Sequence, residues 1–527
     1  MSFLKSLFNK KDLKNKSMPI NILDSSELFD LSSSLEKNSK NIEMLFKDCV
    51  DFTIRCFQIN HNRDALICYY DSLTSSDQIN QYVLEKLMLK SDENITVNNA
   101  KKILERFIPV YDVKNTKDTK ELILNLYDGD CVVLIDGLSE AMIINVRQTK
   151  GRLVTEPLIE VSAIGPQEGF VEDVHLNLTL LRKRIKTAKL KVERFILGRV
   201  CKNHIMVTYI DGIVKKNLVD ELKRRISRID TDGFIDSGHL RRFLDENKFS
   251  PFPQEIMTER PDRCVNYLLE GRIVVLVDGS PFALIYPSVF IDILKTADEA
   301  YIDYYMAMFL RVMRFTALGL STLGSALYIA LTVFNPGMIP TELLITIVSS
   351  RADIPFPAIF EALLMELTFE LLREANTRVP KPIGPSISIV GGLVIGQSVV
   401  EAGIASQPMI IVVALTSISS FAVPGFTTSS KLRLLRFFFM FASSALGMYG
   451  IISLFLLLLV HMASLRSLGV PYLSPLAPLN IRDIYNTLIH APAASQIYRP
   501  SFLEVENPVH TSEASEHIIP KDIGGTK

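Results

Sequence analysis

Along this chain of 527 residues the spacing of apolar positions changes near residue 300. Before that point, short aliphatic runs alternate with amphipathic stretches, the signature of an α/β region. Beyond it, from Thr316 to Ser464, only seven acids and seven bases interrupt about 150 residues. Phe315 to Phe334 is twenty residues without a charge, long enough at about 1.5 Å per residue to cross the hydrocarbon core of a bilayer. Asn335-Pro-Gly337 stops that helix, and Thr341 to Ser350 is too short to span, so it reads as re-entrant or interfacial. Further spans are expected at Pro357 to about Leu372, Pro385 to about Ala402, Pro408 to about Val423 and Leu434 to about Ala463. The pattern predicts five crossings, within a range of four to six.

The first half carries a duplication. Asp128-Gly-Asp-Cys-Val-Val-Leu-Ile-Asp-Gly137 matches Glu270-Gly-Arg-Ile-Val-Val-Leu-Val-Asp-Gly279, and Ala65 to Asp71 echoes Ile205 to Asp211. Each long copy is a buried strand ending in Asp-Gly, a tight-turn signal, followed by a second apolar run, so each half predicts a hairpin. Helical patterns follow Asp71 (Ile79, Val83, Leu87) and Asp211 (Val219, Leu222, Ile226). The fold class predicted is therefore an α/β soluble region of two related subdomains followed by an α-helical multi-pass membrane domain. Its parts are a leader and linker (1–40), the two subdomains (41–150 and 151–303), a membrane domain of about five helices (304–465), and a Pro-rich strip with a polar tail read as mostly disordered (466–527). A duplicated pair offers a cleft for a ligand between its halves; two packed scaffold domains without a small molecule are the alternative.

Charge and cysteine content narrow the function. A net charge of −1 gives no reason to expect nucleic acid. Six cysteines, all in the α/β region and without a CxxC pair, suit buried thiols in a reducing compartment. The first sixteen residues lack an apolar core of signal-peptide length and read as a disordered leader, with a basic amphipathic anchor as the alternative. The Arg182, Lys183, Arg184, Lys186, Lys189, Lys191 cluster reads as a solvated face, or as a contact for anionic lipid headgroups. Arg228-Ile-Asp-Thr-Asp-Gly233 lacks the closing Glu of a calcium loop and reads as a turn. No hydrolase elbow, phosphate loop, catalytic pair or metal-ligand array is present, so neither enzyme chemistry nor a cofactor is expected. Arg311 with Arg314, Arg373 with Arg378 and Lys381, and Lys431 with Arg433 and Arg436 all fall on one side of alternating spans. That places the soluble region in the cytoplasm.

Inside the apolar half, a few polar residues stand out. A carboxylate near the bilayer centre costs roughly 3 kcal/mol or more unless something polar meets it. Glu361 and Glu366 lie deep in their predicted span, and no basic residue falls in the middle of another predicted span. They are candidates for an ion path, the alternative being two neutral, hydrogen-bonded glutamates. Glu370 pairs with Arg373 or snorkels. On the next span Gly392, Gly396 and Gly403 fall within about 40° of one another, a smooth strip for helix packing. Gln397 and Glu401 lie opposite, facing a water path or simply bonding another helix. Ser443, Gly447 and Gly450 form a second small-residue strip.

Several irregular runs closely resemble the A subunit of the GerA-type spore germinant receptors. They include Pro355-Phe-Pro, Glu361-Ala-Leu-Leu-Met-Glu366, Phe369-Glu-Leu-Leu-Arg-Glu374-Ala, Pro382-Ile-Gly and Gly391-Gly-Leu-Val-Ile-Gly-Gln397, with Thr258-Glu-Arg-Pro-Asp-Arg263, Asp278-Gly-Ser-Pro-Phe-Ala-Leu284 and Leu465-Arg-Ser-Leu-Gly-Val-Pro-Tyr472. The resemblance runs from about residue 40 to about residue 480; Arg147-Gln-Thr-Lys-Gly151 and Val423-Pro-Gly-Phe426 depart from it. It implies a nutrient receptor subunit in the inner membrane of a bacterial endospore, acting with a transporter-like B subunit and a lipoprotein C subunit. It also implies self-association into a ligand-gated ion channel. A non-conducting signalling scaffold and a secondary transporter are the competing readings. A transporter of inverted repeats should show related membrane halves, whereas the duplication here lies only in the α/β region.

Overall fold

A computed structural model describes residues 28–59, 63–89, 113–147, 156–157, 159–162, 164–378, 384–487 and 496–511. The sixteen-residue leader, most of the Arg147 to Gly151 departure, Lys381 and Pro382 lie outside the described residues. The chain divides into two units, Met1–Asp245 with Met257–Pro287 and Ala491–Lys527, and Glu246–Ile256 with Ser288–His490.

The first unit holds the duplication as two five-stranded sheets of identical order. After helix α1 (Leu35–Leu45) come β1 (Phe52–Ile59), β2 (Arg63–Tyr70), helix α2 (residues 76–89), β3 (Val113–Thr116), α3 (Thr119–Asp128), β4 (Cys131–Ile135) and β5 (Ala141–Ile144). The second copy comprises α4 (Val174–Arg184), β6 (Leu190–Leu197), β7 (Asn203–Ile210), α5 (Lys216–Ser227), α6 (Ser237–Leu244), β8 (Ile256–Thr258), α7 (Pro261–Glu270), β9 (Ile273–Val277) and β10 (Ala283–Tyr286). Strand order is β1-β2-β4-β5-β3 in one sheet and β6-β7-β9-β10-β8 in the other. Both sequence repeats map onto equivalent strands.

Strand alternation explains the uninterrupted apolar runs. Ala65 and Ile67 of β2 face one core with Ile79 and Val83 of α2, while Leu66 and Cys68 face another with Ile42, Leu122 and Leu126. Burial on both sides pushes the Cys68 thiol up to about 12. The helices preceding β4 and β9 end at equivalent glycines, Gly129 (φ 92°) and Gly271 (φ 96°), whose left-handed backbone caps the helix and turns the chain into the strand.

The two copies are pinned together. Arg182 of α4 donates from Nε and Nη2 to both oxygens of Asp51 at 2.8 Å, and its guanidinium lies 4.7 Å from the Tyr70 ring centre. Cys49 and Val192 form a parallel bridge alongside. The basic cluster is thus partly internal: Arg182 is 2% exposed, Arg184 pairs with Glu168, and Lys186 bonds Asp128 at 2.6 Å. Residues 496–511, expected as part of a disordered tail, are ordered and belong to this unit.

The second unit is helical: α8 (Tyr304–Phe334, ending in a π turn), α9 (Thr341–Arg351), α10 (Ala358–Arg378), α11 (Gly384–Glu401), α12 (Gln407–Ala422), α13 (Phe426–Leu446), α14 (Met448–Ser464) and a short α15 (Ile481–Thr487). The stretch Leu434 to Ala463, expected as one span, is two helices. Gly447 (φ 60°) breaks it, and a Cβ there would lie 2.7 Å from the Phe334 ring. Among the described residues one helix, Tyr304–Phe334, is long and apolar enough to cross a membrane; Gln407–Ala422 and Met448–Ser464 are apolar but shorter.

Removing one partner of a buried ion pair leaves the other charge stranded, at a cost of roughly 3–5 kcal/mol. Asp51→Asn is therefore expected to open the α/β unit. With exposed Cys56 and Cys201 replaced by serine, alkylation of the buried native thiols should speed up on the order of a hundredfold or more. An unchanged rate would show that the pair does not hold the subdomains.

Candidate functional site: buried carboxylates of the helical unit

Apolar packing in the second unit leaves a small set of polar groups with nowhere to go but toward one another. Glu366 of α10 is fully buried, and three other helices supply its partners. Ser325 of α8 donates at 2.6 Å and Thr416 of α12 at 3.1 Å, while Arg436 of α13 donates from Nη1. Arg436, 1% exposed, also donates from Nε to the Ser321 carbonyl at 2.7 Å. A single carboxylate thus ties four helices.

This overturns the premise that Glu366 has no basic partner. Arg436 was read with the basic residues preceding the last span, because that span was placed eight residues too late, at Leu434 instead of Phe426. With α13 beginning at Phe426, Arg436 falls in mid-helix.

Glu361, also fully buried, organises a second junction. Arg351 at the end of α9 approaches its Oε1 at 3.1 Å from both Nε and Nη2. The Ser406 N–H and hydroxyl both donate to Oε2 at 3.0 Å. Ser406 is the N-cap residue of α12, so its side chain serves Glu361 rather than its own helix. Glu370, on the same side as Glu366, lies 3.6 Å from both Arg373 and Arg433.

The remaining candidates are placed differently. On α11 Gln397 donates to Glu401 at 2.8 Å, and both are exposed. A Cβ on Gly392 or Gly396 would meet nothing within 4 Å, so among the described residues this chain gives the strip no neighbour. Gly403 does not extend that strip: α11 ends at Glu401, and Gly403 sits in the following turn at φ 63°. Ser443, Gly447 and Gly450 likewise do not share one helical face. Ser443 donates to the Ala326 carbonyl at 2.7 Å, Gly447 makes the break, and a Cβ on Gly450 would lie 2.1 Å from the Ala442 carbonyl oxygen.

Sequence reasoning missed a close helix contact at Gly324, where a Cβ would come within 2.4 Å of the Thr416 methyl. The signal was available in Gly324-Ser325 opposite Thr416-Ser417, small residues in two apolar helices. In the α/β unit a cleft of about 380 Å³ lies between the copies, lined by Phe29, Asn41, Met44, Leu45, Lys189, Lys191 and Asp211 among others.

Gly324→Leu is expected to overpack the junction by roughly 1–3 kcal/mol and to lower the thermal unfolding temperature of the solubilised chain. Gly319→Leu, which meets nothing within 4 Å, is the matched control. Equal behaviour of the two variants would contradict the close contact.

The family model for the Bacillus/Clostridium GerA spore germination protein matches residues 40–502. Spore germination protein KA of Bacillus subtilis is 37% identical over 504 residues, covering 94% of this chain and 92% of its own. The B. subtilis uncharacterized membrane protein YfkQ is 34% identical, covering 89% and 91%. Among solved structures, the N-terminal domain of the A subunit of the Bacillus megaterium spore germinant receptor GerK3 is 30% identical, with a TM-score of 0.40, and covers 50% of this chain and 98% of that domain.

Proposed function

This chain belongs to the Bacillus/Clostridium GerA spore germination protein family, and from that premise we propose that it is the A subunit of a nutrient-responsive germinant receptor. In this reading it is a multi-pass protein of the spore inner membrane with its α/β unit in the cytoplasm, and it acts with a transporter-like B subunit and a lipoprotein C subunit. Copies of the chain assemble into a ligand-gated ion channel that starts germination. The chain is a receptor rather than an enzyme. The B. subtilis relative named as a membrane protein supports the location, and the run of apolar helices supports the multi-pass architecture.

The observation that carries the assembly reading is α11. Its Gly392 and Gly396 have no neighbour among the described residues, and an exposed Gln397–Glu401 pair lies on the opposite side of the helix. Small residues let helix backbones meet in a bilayer, so another copy is the natural occupant of that face. Repeated around an axis, Gln397 and Glu401 would form a polar ring favouring cations. Glu361 and Glu366 enter the path only when Arg351 and Arg436 release them; in this proposal their pairs break on opening.

Purified chain in liposomes, with and without the B and C subunits, tests the function. Nutrient-dependent cation flux is expected, and Glu401→Gln should alter its cation preference while leaving assembly intact. Gly396→Leu should keep the monomer folded, since the added side chain meets open space in a single copy, but abolish self-association. No flux from the complete set of subunits would favour a non-conducting scaffold. Unchanged selectivity in Glu401→Gln would remove the polar-ring role.

A further inference from the structure

We propose that the helical unit crosses the bilayer six times, returning the chain to the face where it went in, and that residues 496–511 are a clasp holding the end of the chain on the second α/β subdomain. This rests on the membrane reading above and adds the number of passes, the side of the C-terminus and what holds it.

The direction of each helix follows from its polar contacts. Glu366 of α10 pairs with Arg436 of α13, and one turn later Glu370 lies against Arg433, so α10 advances as α13 retreats. Glu366 meets Thr416 of α12 and, two turns on, Arg373 meets Ser420 at 2.8 Å, so α10 and α12 run the same way. Helix α11 must reverse between them. The Ser321 carbonyl of α8 accepts from Arg436 and the Ala326 carbonyl from Ser443, so α8 runs with α13. Phe334 at the end of α8 touches the Gly447 break, so α13 ends at the far face and α14 leads back. The passes are therefore α8, α10, α11, α12, α13 and α14, with α9 too short to count.

Both ends of the bundle meet at the near face. Ser288 donates its N–H to Ser467 Oγ at 3.0 Å, and Phe290 donates to the Tyr472 carbonyl at 2.8 Å. These bonds join the segment before α8 to the segment after α14. An odd number of crossings would put them on opposite sides of the membrane.

The clasp satisfies the same condition independently, within the α/β unit. Buried Arg499 donates to the carbonyls of Leu269 at 2.6 Å and Asn507 at 3.0 Å, and to that of Val509. Glu506 donates its N–H to the Ile213 carbonyl at 2.9 Å, and Lys215 pairs with Glu504. Val505 packs so closely on the Gly271 cap that a Cβ there would lie 2.5 Å from its Cγ1. A segment so held must share a side with the subdomain it grips.

Single cysteines at Ile235 in the α/β unit, Glu504 in the clasp and Met338 after α8, all exposed, test this in the full chain with Cys56 and Cys201 replaced. An impermeant thiol reagent is applied to intact and to lysed protoplasts. Ile235→Cys and Glu504→Cys should behave alike, and Met338→Cys oppositely, whichever side proves cytoplasmic. Labelling of Ile235→Cys and Glu504→Cys from different sides would overturn the six-pass topology. Identical labelling of all three in intact and lysed cells would instead sink the membrane reading itself. In the Lys215→Cys/Glu504→Cys double variant a short bismaleimide should join the two within one chain in native membranes; no cross-link would overturn the clasp.

Discussion

A carboxylate buried in an apolar helix has to be answered within hydrogen-bonding distance, and Glu366 imposes that requirement on the whole helical unit. Stranding such a charge costs several kcal/mol, so the helices bearing Ser325, Thr416 and Arg436 must arrive at one point. Gly324 lets α8 come close enough to α12 for that meeting. Glu361, Arg351 and Ser406 repeat the logic about a turn and a half away on α10. Non-directional apolar contacts alone would let these helices slide; the paired charges fix their register.

The α/β unit uses the same device sparingly. Asp51 and Arg182 form a bidentate pair at the seam between its copies, and Arg260 with Asp262 forms another, both almost fully buried. Within each copy the strand pattern follows burial. Strands covered on both faces are aliphatic throughout, and the matching caps at Gly129 and Gly271 aim the following strand in the same direction.

The α/β duplication was legible because it rests on local signals. Asp-Gly turns, aliphatic runs and helical periodicity each act within about ten residues, and they located equivalent hairpins at Gly137 and Gly279. The boundaries of the apolar helices were less legible. A hydropathy reading starts a span where the uncharged run takes over, which moved the start of α13 from Phe426 to Leu434, left Arg436 at the span's edge and concealed the partner of Glu366. Gly447 went unread as a break because a glycine inside an apolar run has the same sequence signature whether it packs or turns; only its φ of 60° decides. The ordered clasp was invisible for a related reason. Residues 496–511 are polar and short, and the acceptor that ties Arg499 to the subdomain, the Leu269 carbonyl, lies 230 positions earlier.

The claim that the Glu366–Arg436 pair holds the four-helix junction is tested most directly by a double-mutant cycle. Glu366→Gln, Arg436→Met and the double variant of the full-length chain would be compared by thermal unfolding in nanodiscs. Each single change should be severe, because it strands the remaining charge or amide in an apolar site, and the double should recover part of the loss, with a coupling of roughly 1–3 kcal/mol. Losses in the double variant equal to the sum of the two singles would contradict the account.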